Sequence, residues 1–323
     1  MKAFITGGTG FIGSHLADFL ILGDAEVRCL VRKQEKWLEG KPFKKISGDL
    51  HDLAALKEGM KGVDIVFHLA GLVKAPDYNA FYQCNVDATE NVIRMAQKCG
   101  VEKVIVLSSL AAAGPSNGTP LSEDEMNEPV SMYGKSKRKM EEVIHSISTP
   151  DTSVTIIRPP AVFGPREDQI YSIFKWASKG IFPIVGKKKE SKRLSLIYVS
   201  DLVEGMMLAA NNHKKGVETY YISSEKTYSW EDIKTVTAVV LGRKLRAIYI
   251  EPGLVKKFAG AIEYISLYFG YYPVINRDKA SEMILEWTCS VEKAKNELDY
   301  RQQVSLDAGI TKTIQWYKKH NWL

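Results

Sequence analysis

Tyr133 and Lys137 stand four residues apart in the stretch SMYGKSKRKMEE, residues 131–142. On a helix that spacing puts both side chains on one face, reaching into the same space. A free tyrosine titrates near about 10 and is a poor base at neutral pH, but a neighbouring ammonium stabilises the phenolate and lowers that value. The pair then becomes a usable general acid or base. The same run also reads as the solvated face of an ordinary helix, and Lys135, Arg138 and Lys139 keep that plainer assignment. A hydroxyl that holds the substrate oxygen would complete the chemistry, and VLSSLAAAG, residues 106–114, offers Ser108 and Ser109.

A second chemical signal opens the chain. TGGTGFIG spaces Gly7, Gly10 and Gly13 as G-x-x-G-x-x-G after a first apolar strand and before a helical pattern. A turn this tight needs positive φ, and a phosphate approaches backbone amides only where no Cβ intervenes. The helix start adds unpaired N–H groups and a positive dipole end, so Thr9, Phe11 and Ile12 join the three glycines in a diphosphate cradle. In such folds an acid at the second strand's tip binds the ribose of NAD, and a nearby arginine suits the 2′-phosphate of NADP. Here Val31 stands in the acid's place, followed by Arg32 and Lys33. NADP(H) is therefore favoured; NAD(H) stays open, because Arg32 and Lys33 also read as a solvated strand end. Asp49 and Leu50 in GDL end the third strand where they would flank an adenine, and Leu69, Ala70 and Gly71 in HLAG make a small-residue turn that a cofactor could approach.

The elements that must position these residues alternate. Strands are expected at Lys2 to Thr6, Glu26 to Val31, Lys44 to Gly48, Ile65 to Leu69, Lys103 to Ser108 and Val154 to Arg158, with helices at about 12–22, 52–59, 79–99 and 132–147. That rhythm predicts an α/β fold, a doubly wound parallel sheet with a smaller C-terminal substrate lobe. After Pro159, Pro160 and Pro165 the pattern changes, and residues 194–210 read as a strand and helix that return to the sheet. The expected division is 1–165 plus 193–223 for the dinucleotide and 166–192 plus 224–323 for the substrate.

Composition narrows the function. The chain has 323 residues, 45% hydrophobic and 25% charged, and 44 Lys and Arg against 38 Asp and Glu give a mild +6 that is not gathered in a tail. Nucleic acid is not the expected partner; a small molecule is. Four scattered cysteines, Cys29, Cys84, Cys99 and Cys289, suggest neither disulfides nor a zinc site and fit a reducing cytoplasm, and the histidine spacings imply no metal. The N-terminus lacks the apolar core of a signal peptide. FAGAIEYISLYFG, residues 258–270, is too short to span a bilayer and carries Glu263, so no membrane partner is expected. It reads as an amphipathic helix whose apolar side covers a core or a substrate pocket.

Taken in order, TGGTGFIG, HLAG, Asn85 in NVDATEN, the serine pair before AAAG, Tyr133-x-x-x-Lys137, IRPPAVFGP with Pro159, and YVSDLVEGM resemble an extended short-chain dehydrogenase/reductase of the NAD(P)-dependent epimerase/dehydratase type, along essentially the whole chain. The resemblance implies a Rossmann sheet, with Tyr133 as general acid/base, Lys137 lowering its pKa and bonding the nicotinamide ribose, and Ser109 holding the substrate oxygen. It also implies cofactor contacts by Asn85 and Pro159 and a homodimer through helices of the 79–99 and 132–147 type. Ser109 is preferred because it stands five residues before Gly114, which leaves Ser108 a packing role. Ser109, Leu110 and Ala111 replace the Thr-Asp-Glu of the family's dehydratases, so dehydration by that route is not expected. Three readings follow: an NADP(H)-dependent oxidoreductase acting on a secondary alcohol or an apolar carbonyl, an NAD-dependent nucleotide-sugar epimerase, and a non-catalytic dinucleotide sensor. Arg166, Asp168, Lys74 and the run GKKKESKR, residues 186–193, are ambiguous between substrate contacts and surface. Tyr264, Tyr268, Tyr271 and Tyr272 read mostly as an aromatic core of the C-terminal lobe, with a pocket lining as the alternative.

Overall fold

Runs such as KAFIT and SVTIIR are apolar and β-branched along nearly their whole length, which suits strands buried on both faces rather than on one. The computed structural model, which describes residues 1–187, 192–269, 272–273 and 276–323, pairs them accordingly. β1 (Lys2–Thr6), β2 (Glu26–Val31), β3 (Lys44–Ser47), β4 (Ile65–His68), β5 (Lys103–Leu107) and β6 (Ser153–Arg158) lie in one parallel sheet. Its order, with β10 (Val217–Tyr221) at the far edge, is β10-β6-β5-β4-β1-β2-β3. The order reverses between β1 and β4, the place where doubly wound sheets open a crevice at their carboxyl ends.

Helices cover both faces. α1 (Phe11–Leu22), α7 (Val199–Ala210) and α11 (Glu292–Leu298) pack Leu16, Leu20, Leu202, Met206 and Leu298 on one side. α2 (Leu53–Met60), α4 (Ala88–Lys98) and α5 (Met132–Ile147) pack Leu56, Ile93, Met140 and Ile144 on the other. α4 is preceded by α3 (Tyr78–Phe81) and one wide π turn over Tyr82–Asp87, so the expected helix at 79–99 is a helix with a bulge in its first half.

The second lobe combines β7 (Ala161–Phe163), β9 (Arg193–Tyr198) and β11 (Thr227–Ser229) in a small mixed sheet, and β8 (Ile181–Val185) with β12 (Arg246–Ile250) in a parallel pair. α6 (Tyr171–Ser178), α8 (Trp230–Leu241) and α12 (Leu306–Lys319) enclose its core around Phe174, Phe182, Ile310 and Tyr317. α9 (Pro252–Tyr268) and α10 (Arg277–Met283) complete the lobe.

Two expectations change here. The strand of residues 194–210 does not rejoin the main sheet: β9 pairs with β7 and β11, and the returning strand is β10. VETYY carries Glu218 and Thr219 among its aromatics, as an edge strand can, so its apolar pattern is weak. The other change concerns α9, whose apolar side covers neither core nor pocket. Tyr264 and Tyr268 are 76% and 84% exposed, so they belong to neither the lobe's core nor its cavity. Of the run 186–193, residues 188–191 lie outside the described residues, as does Tyr271; Lys192 donates to the Ile284 carbonyl and Arg193 to Thr227.

Candidate active site

Gly7 follows β1 with φ +75°, and a Cβ there would fall 2.6 Å from the Ala70 amide nitrogen, so the loop seats directly on the turn after β4. A Cβ on Gly13 would meet the Gly7 carbonyl oxygen at 2.2 Å. Gly10 is the N-cap of α1 and supplies no side-chain cap, unlike Asp52, Ser131, Ser229 and Ser305 at the starts of α2, α5, α8 and α12. No acid stands in the first turn of α1. The amides of Phe11, Ile12 and Gly13, beside Thr9, are therefore unclaimed by side chains at a positive helix end, which fits the diphosphate of a dinucleotide.

At the next rim position Val31 is 2% exposed, so an acidic group's place is filled by a buried apolar side chain. Arg32 and Lys33 are exposed and have no hydrogen-bond or ion-pair partner among the described residues. Beside them, the Gly48 amide donates to the Val31 carbonyl, Asp49 accepts from the His51 amide at 2.8 Å, and Leu50 is half-buried, its carbonyl held by Asn91.

Deeper in the crevice one polar chain runs below the loop. Thr89 donates to the Asn85 carbonyl at 2.7 Å, so its oxygen accepts from His68 Nε2 at 2.8 Å, which leaves His68 Nδ1 to accept from Thr6 at 2.7 Å. Burial, with help from the Lys137 charge, lowers the His68 pKa to about 3, so the imidazole is neutral as this chain requires. The Asn85 amide holds Leu72 by two bonds, 2.8 and 3.0 Å, and donates to Ser136 at 3.0 Å. A Cβ on Gly71 would come 3.0 Å from Asn85 Oδ1 and 3.4 Å from Lys137 Nζ. The turn Leu69, Ala70 and Gly71 thus lies close against Asn85 and Lys137.

Tyr133, Lys137 and Ser109 converge at the ends of α5 and β5. The Tyr133 hydroxyl lies near enough to Ser109 for the serine to lower its pKa, and its ring packs on Phe81 at 6.2 Å between centroids. Lys137 Nζ donates to the Leu107 carbonyl at 2.8 Å. The two serines have different partners. Ser108 is 3% exposed and donates to Glu141, which forms a buried 2.6 Å ion pair with Arg158. Ser109 starts a single 3-10 turn, and the Pro159 carbonyl accepts from the Leu110 amide at 2.9 Å.

The electrostatics differ from the sequence expectation. Burial raises the Tyr133 pKa to about 12; Ser109 pulls it down and the Glu282 carboxylate pushes it up. Lys137, expected to depress it, has its ammonium on a backbone carbonyl and is itself lowered to about 8 by burial, against the opposing charges of Glu141 and Cys84.

Tyr133 opens on a cavity of about 220 Å³ whose walls include Val73, Lys74, Phe81 and Asp168 from one side and Tyr272, Asn276, Asp278, Lys279 and Glu282 from the C-terminal lobe. Asp278 accepts from the Met132 amide at 2.7 Å and Glu282 from Ser131 at 2.6 Å, so α10 is pinned to the first turn of the tyrosine's helix. Sequence reasoning passed over Asp278 and Glu282, which lie in a short helix without any motif. Arg166 stands elsewhere, bonded to Ser14 and Asp18 on α1 and stacked over Trp37.

With this site in place, similarity to known proteins is informative. A model of the NAD dependent epimerase/dehydratase family matches residues 3–223, and the chain belongs to that family, an enzyme of the extended short-chain dehydrogenase/reductase type that uses a nicotinamide dinucleotide. It is 29% identical over 324 residues to the ceramide reductase of Caulobacter vibrioides, covering 99% of this chain and 95% of that one. It is also 29% identical over 255 residues to N-acetyl-alpha-D-glucosaminyl-diphospho-ditrans,octacis-undecaprenol 4-epimerase of Escherichia coli O157:H7, covering 77% and 75%. In fold it resembles the UDP-glucuronic acid 4-epimerase of Bacillus cereus solved with UDP-glucuronic acid and NAD, with a TM-score of 0.78 at 21% identity over 99% of this chain and 100% of that one.

Proposed function

We propose that this protein is an NADP(H)-dependent oxidoreductase acting on a secondary alcohol or the corresponding apolar carbonyl. The observation that carries the reading is Tyr133 on the cavity wall, near Ser109 and one helical turn from buried Lys137. A nicotinamide dinucleotide bound along the crevice supplies or takes the hydride. Ser109 holds the substrate oxygen; Tyr133 gives it a proton as the carbonyl is reduced and takes one back in the reverse direction. Lys137, still an ammonium below its pKa of about 8, offsets the phenolate charge once its hydrogen bond is redirected from Leu107. Gly7, Thr9, Gly10, Phe11, Ile12 and Gly13 would cradle the diphosphate, Asp49, Leu50, Leu69, Ala70 and Gly71 would flank the dinucleotide, and Asn85 and Pro159 would shape the nicotinamide end.

Arg32 supports NADP over NAD, since with Lys33 it is an exposed cation without a partner among the described residues, beside a buried Val31. The cavity supports an uncharged substrate. Asp168, Asp278 and Glu282 face Lys74 and Lys279, and Lys279 is already paired with Glu282 at 3.0 Å, which is an unfavourable setting for a diphosphate. The similarity to a ceramide reductase agrees with that preference. The same proposal assigns 1–165 plus 193–223 to the dinucleotide and 166–192 plus 224–323 to the substrate, and has two copies pairing through α4 and α5 in the cytoplasm.

Lys74, on the cavity wall and without a hydrogen-bond or ion-pair partner among the described residues, keeps the nucleotide-sugar epimerase as a second reading. One experiment separates the two: cofactor is extracted from the purified protein and NADPH oxidation is followed with a panel of long-chain ketones and aldehydes. Steady NADPH consumption is expected. Tightly held NAD with no net redox turnover would replace the oxidoreductase by the epimerase.

A further inference from the structure

α9 is built inside out. Its inward side carries Val255, Ala259, Gly260, Glu263 and Ser266, mostly small or polar, and only Val255 and Ala259 reach the little core formed with Ala280 of α10. Its outward side carries the large apolar residues: Leu254, Phe258, Ile262, Ile265 and Phe269 are 44%, 61%, 41%, 56% and 72% exposed. Spaced by four, four, three and four residues, they form one continuous stripe, widened by Tyr264 and Tyr268. An ordinary surface helix turns its apolar side to the protein. This reversal makes a contiguous exposed apolar patch of the kind that marks an interaction site.

The charges on the helix indicate what covers the patch. Lys256 and Lys257 are exposed, with no hydrogen-bond or ion-pair partner among the described residues. The helix's only acid, Glu263, is turned inward and occupied by the Arg277 amide at 2.9 Å and the Tyr272 hydroxyl at 3.4 Å. The outward surface is therefore apolar, aromatic along one edge and cationic there at Lys257, whereas Lys256 falls in the row of Gly260 and Glu263 on the other side. A second copy of this chain would bring the same lysine and no acid in the stripe to meet it, whereas a bilayer with anionic headgroups complements an apolar stripe flanked by tyrosines and a lysine.

We propose that α9 docks this protein on the surface of an anionic phospholipid bilayer, with its apolar stripe lying in the headgroup boundary. This departs from the expectation of no membrane partner. It requires no spanning segment, and no helix among the described residues is long and apolar enough to cross a membrane. The location suits the cavity: α10 packs against the inner side of α9 and carries Asp278 and Glu282 into the cavity wall, so one helix layer separates the docked face from Tyr133. The inference stands independently of the redox reading, because it concerns binding and not turnover.

The test is sedimentation of the full chain with sucrose-loaded vesicles, either of phosphatidylcholine alone or of phosphatidylcholine with phosphatidylglycerol. The wild type should sediment with the anionic vesicles and be released by raised salt. Phe258→Ser combined with Ile265→Ser should lower the partition coefficient at least about tenfold, with thermal unfolding and NADPH affinity unchanged because both side chains are exposed. Lys257→Gln should lose roughly fivefold on anionic vesicles only. The proposal fails if the wild type stays in the supernatant with both compositions, or if the apolar double variant binds as the wild type does. It also fails if sedimentation equilibrium shows a lipid-independent dimer that this variant dissolves.

Discussion

Replacing Arg32 by Ala isolates cofactor choice from everything else in the molecule. The side chain is exposed and unpartnered among the described residues, so its removal leaves no buried group unsatisfied and stability should change by less than about 0.5 kcal/mol. A hydrogen bond to a charged group contributes roughly 1.5–3 kcal/mol, and solvent screening at an exposed strand tip reduces that to about 1–2 kcal/mol. At about 1.4 kcal/mol per factor of ten, the Kd for NADPH should rise roughly 5- to 30-fold. NADH has no 2′-phosphate, so its Kd should stay within a factor of about two, and the ratio of the two constants is the readout. Titration by nicotinamide fluorescence at low and moderate salt measures both, and the NADPH preference should shrink as salt rises. If wild-type protein binds NADH as tightly as NADPH, or the substitution weakens both equally, Arg32 does not read the ribose and the NADP assignment is wrong.

Further outcomes are specific to the site and its supports. Tyr133→Phe should cut turnover about 10²- to 10⁴-fold and leave NADPH affinity intact; full turnover in this variant would remove Tyr133 from proton transfer. Because Lys137 has a pKa of about 8, its ammonium is lost as pH rises through that value, so kcat should fall above it; a rate still climbing at pH 10 contradicts a charged Lys137. Glu141→Ala strips the partner from Arg158, whose side chain is 7% exposed, and should cost about 3–5 kcal/mol in urea unfolding. His68 is held neutral by a folded pKa of about 3 against the ordinary 6.5 of a free imidazole, so the unfolded chain binds the extra proton as pH falls. Stability should therefore drop by about 2 kcal/mol between pH 7.5 and 5.0 on this account, and His68→Gln should flatten that slope.

The glycine turn and the shared helix face of Tyr133 and Lys137 were readable because their geometry is local. Gly7, Gly10 and Gly13 must be glycines for a turn made within a few residues, and Tyr133 and Lys137 share a face because a helix repeats in under four. The helix expected at 132–147 is α5. The second lobe resisted such reading. β10 carries polar residues among its aromatics, and α9 has the composition of a buried helix while its apolar side is turned outward, since composition records how apolar a helix is and not what it meets.

From sequence alone came the doubly wound class, the tight glycine turn after β1 and the placing of Tyr133 and Lys137 on one helix face, all set by local spacing. The tertiary structure supplied the partner that occupies Ser108, the buried Glu141, and only it carried Asp278 and Glu282 across separations of 146 and 151 residues to the start of α5. It also decided that Lys137 bonds the Leu107 carbonyl and that burial, rather than a neighbouring charge, dominates Tyr133. Local periodicity says which residues lie on a face; desolvation and contact between distant segments depend on how the faces are packed, and they decide what those residues can do.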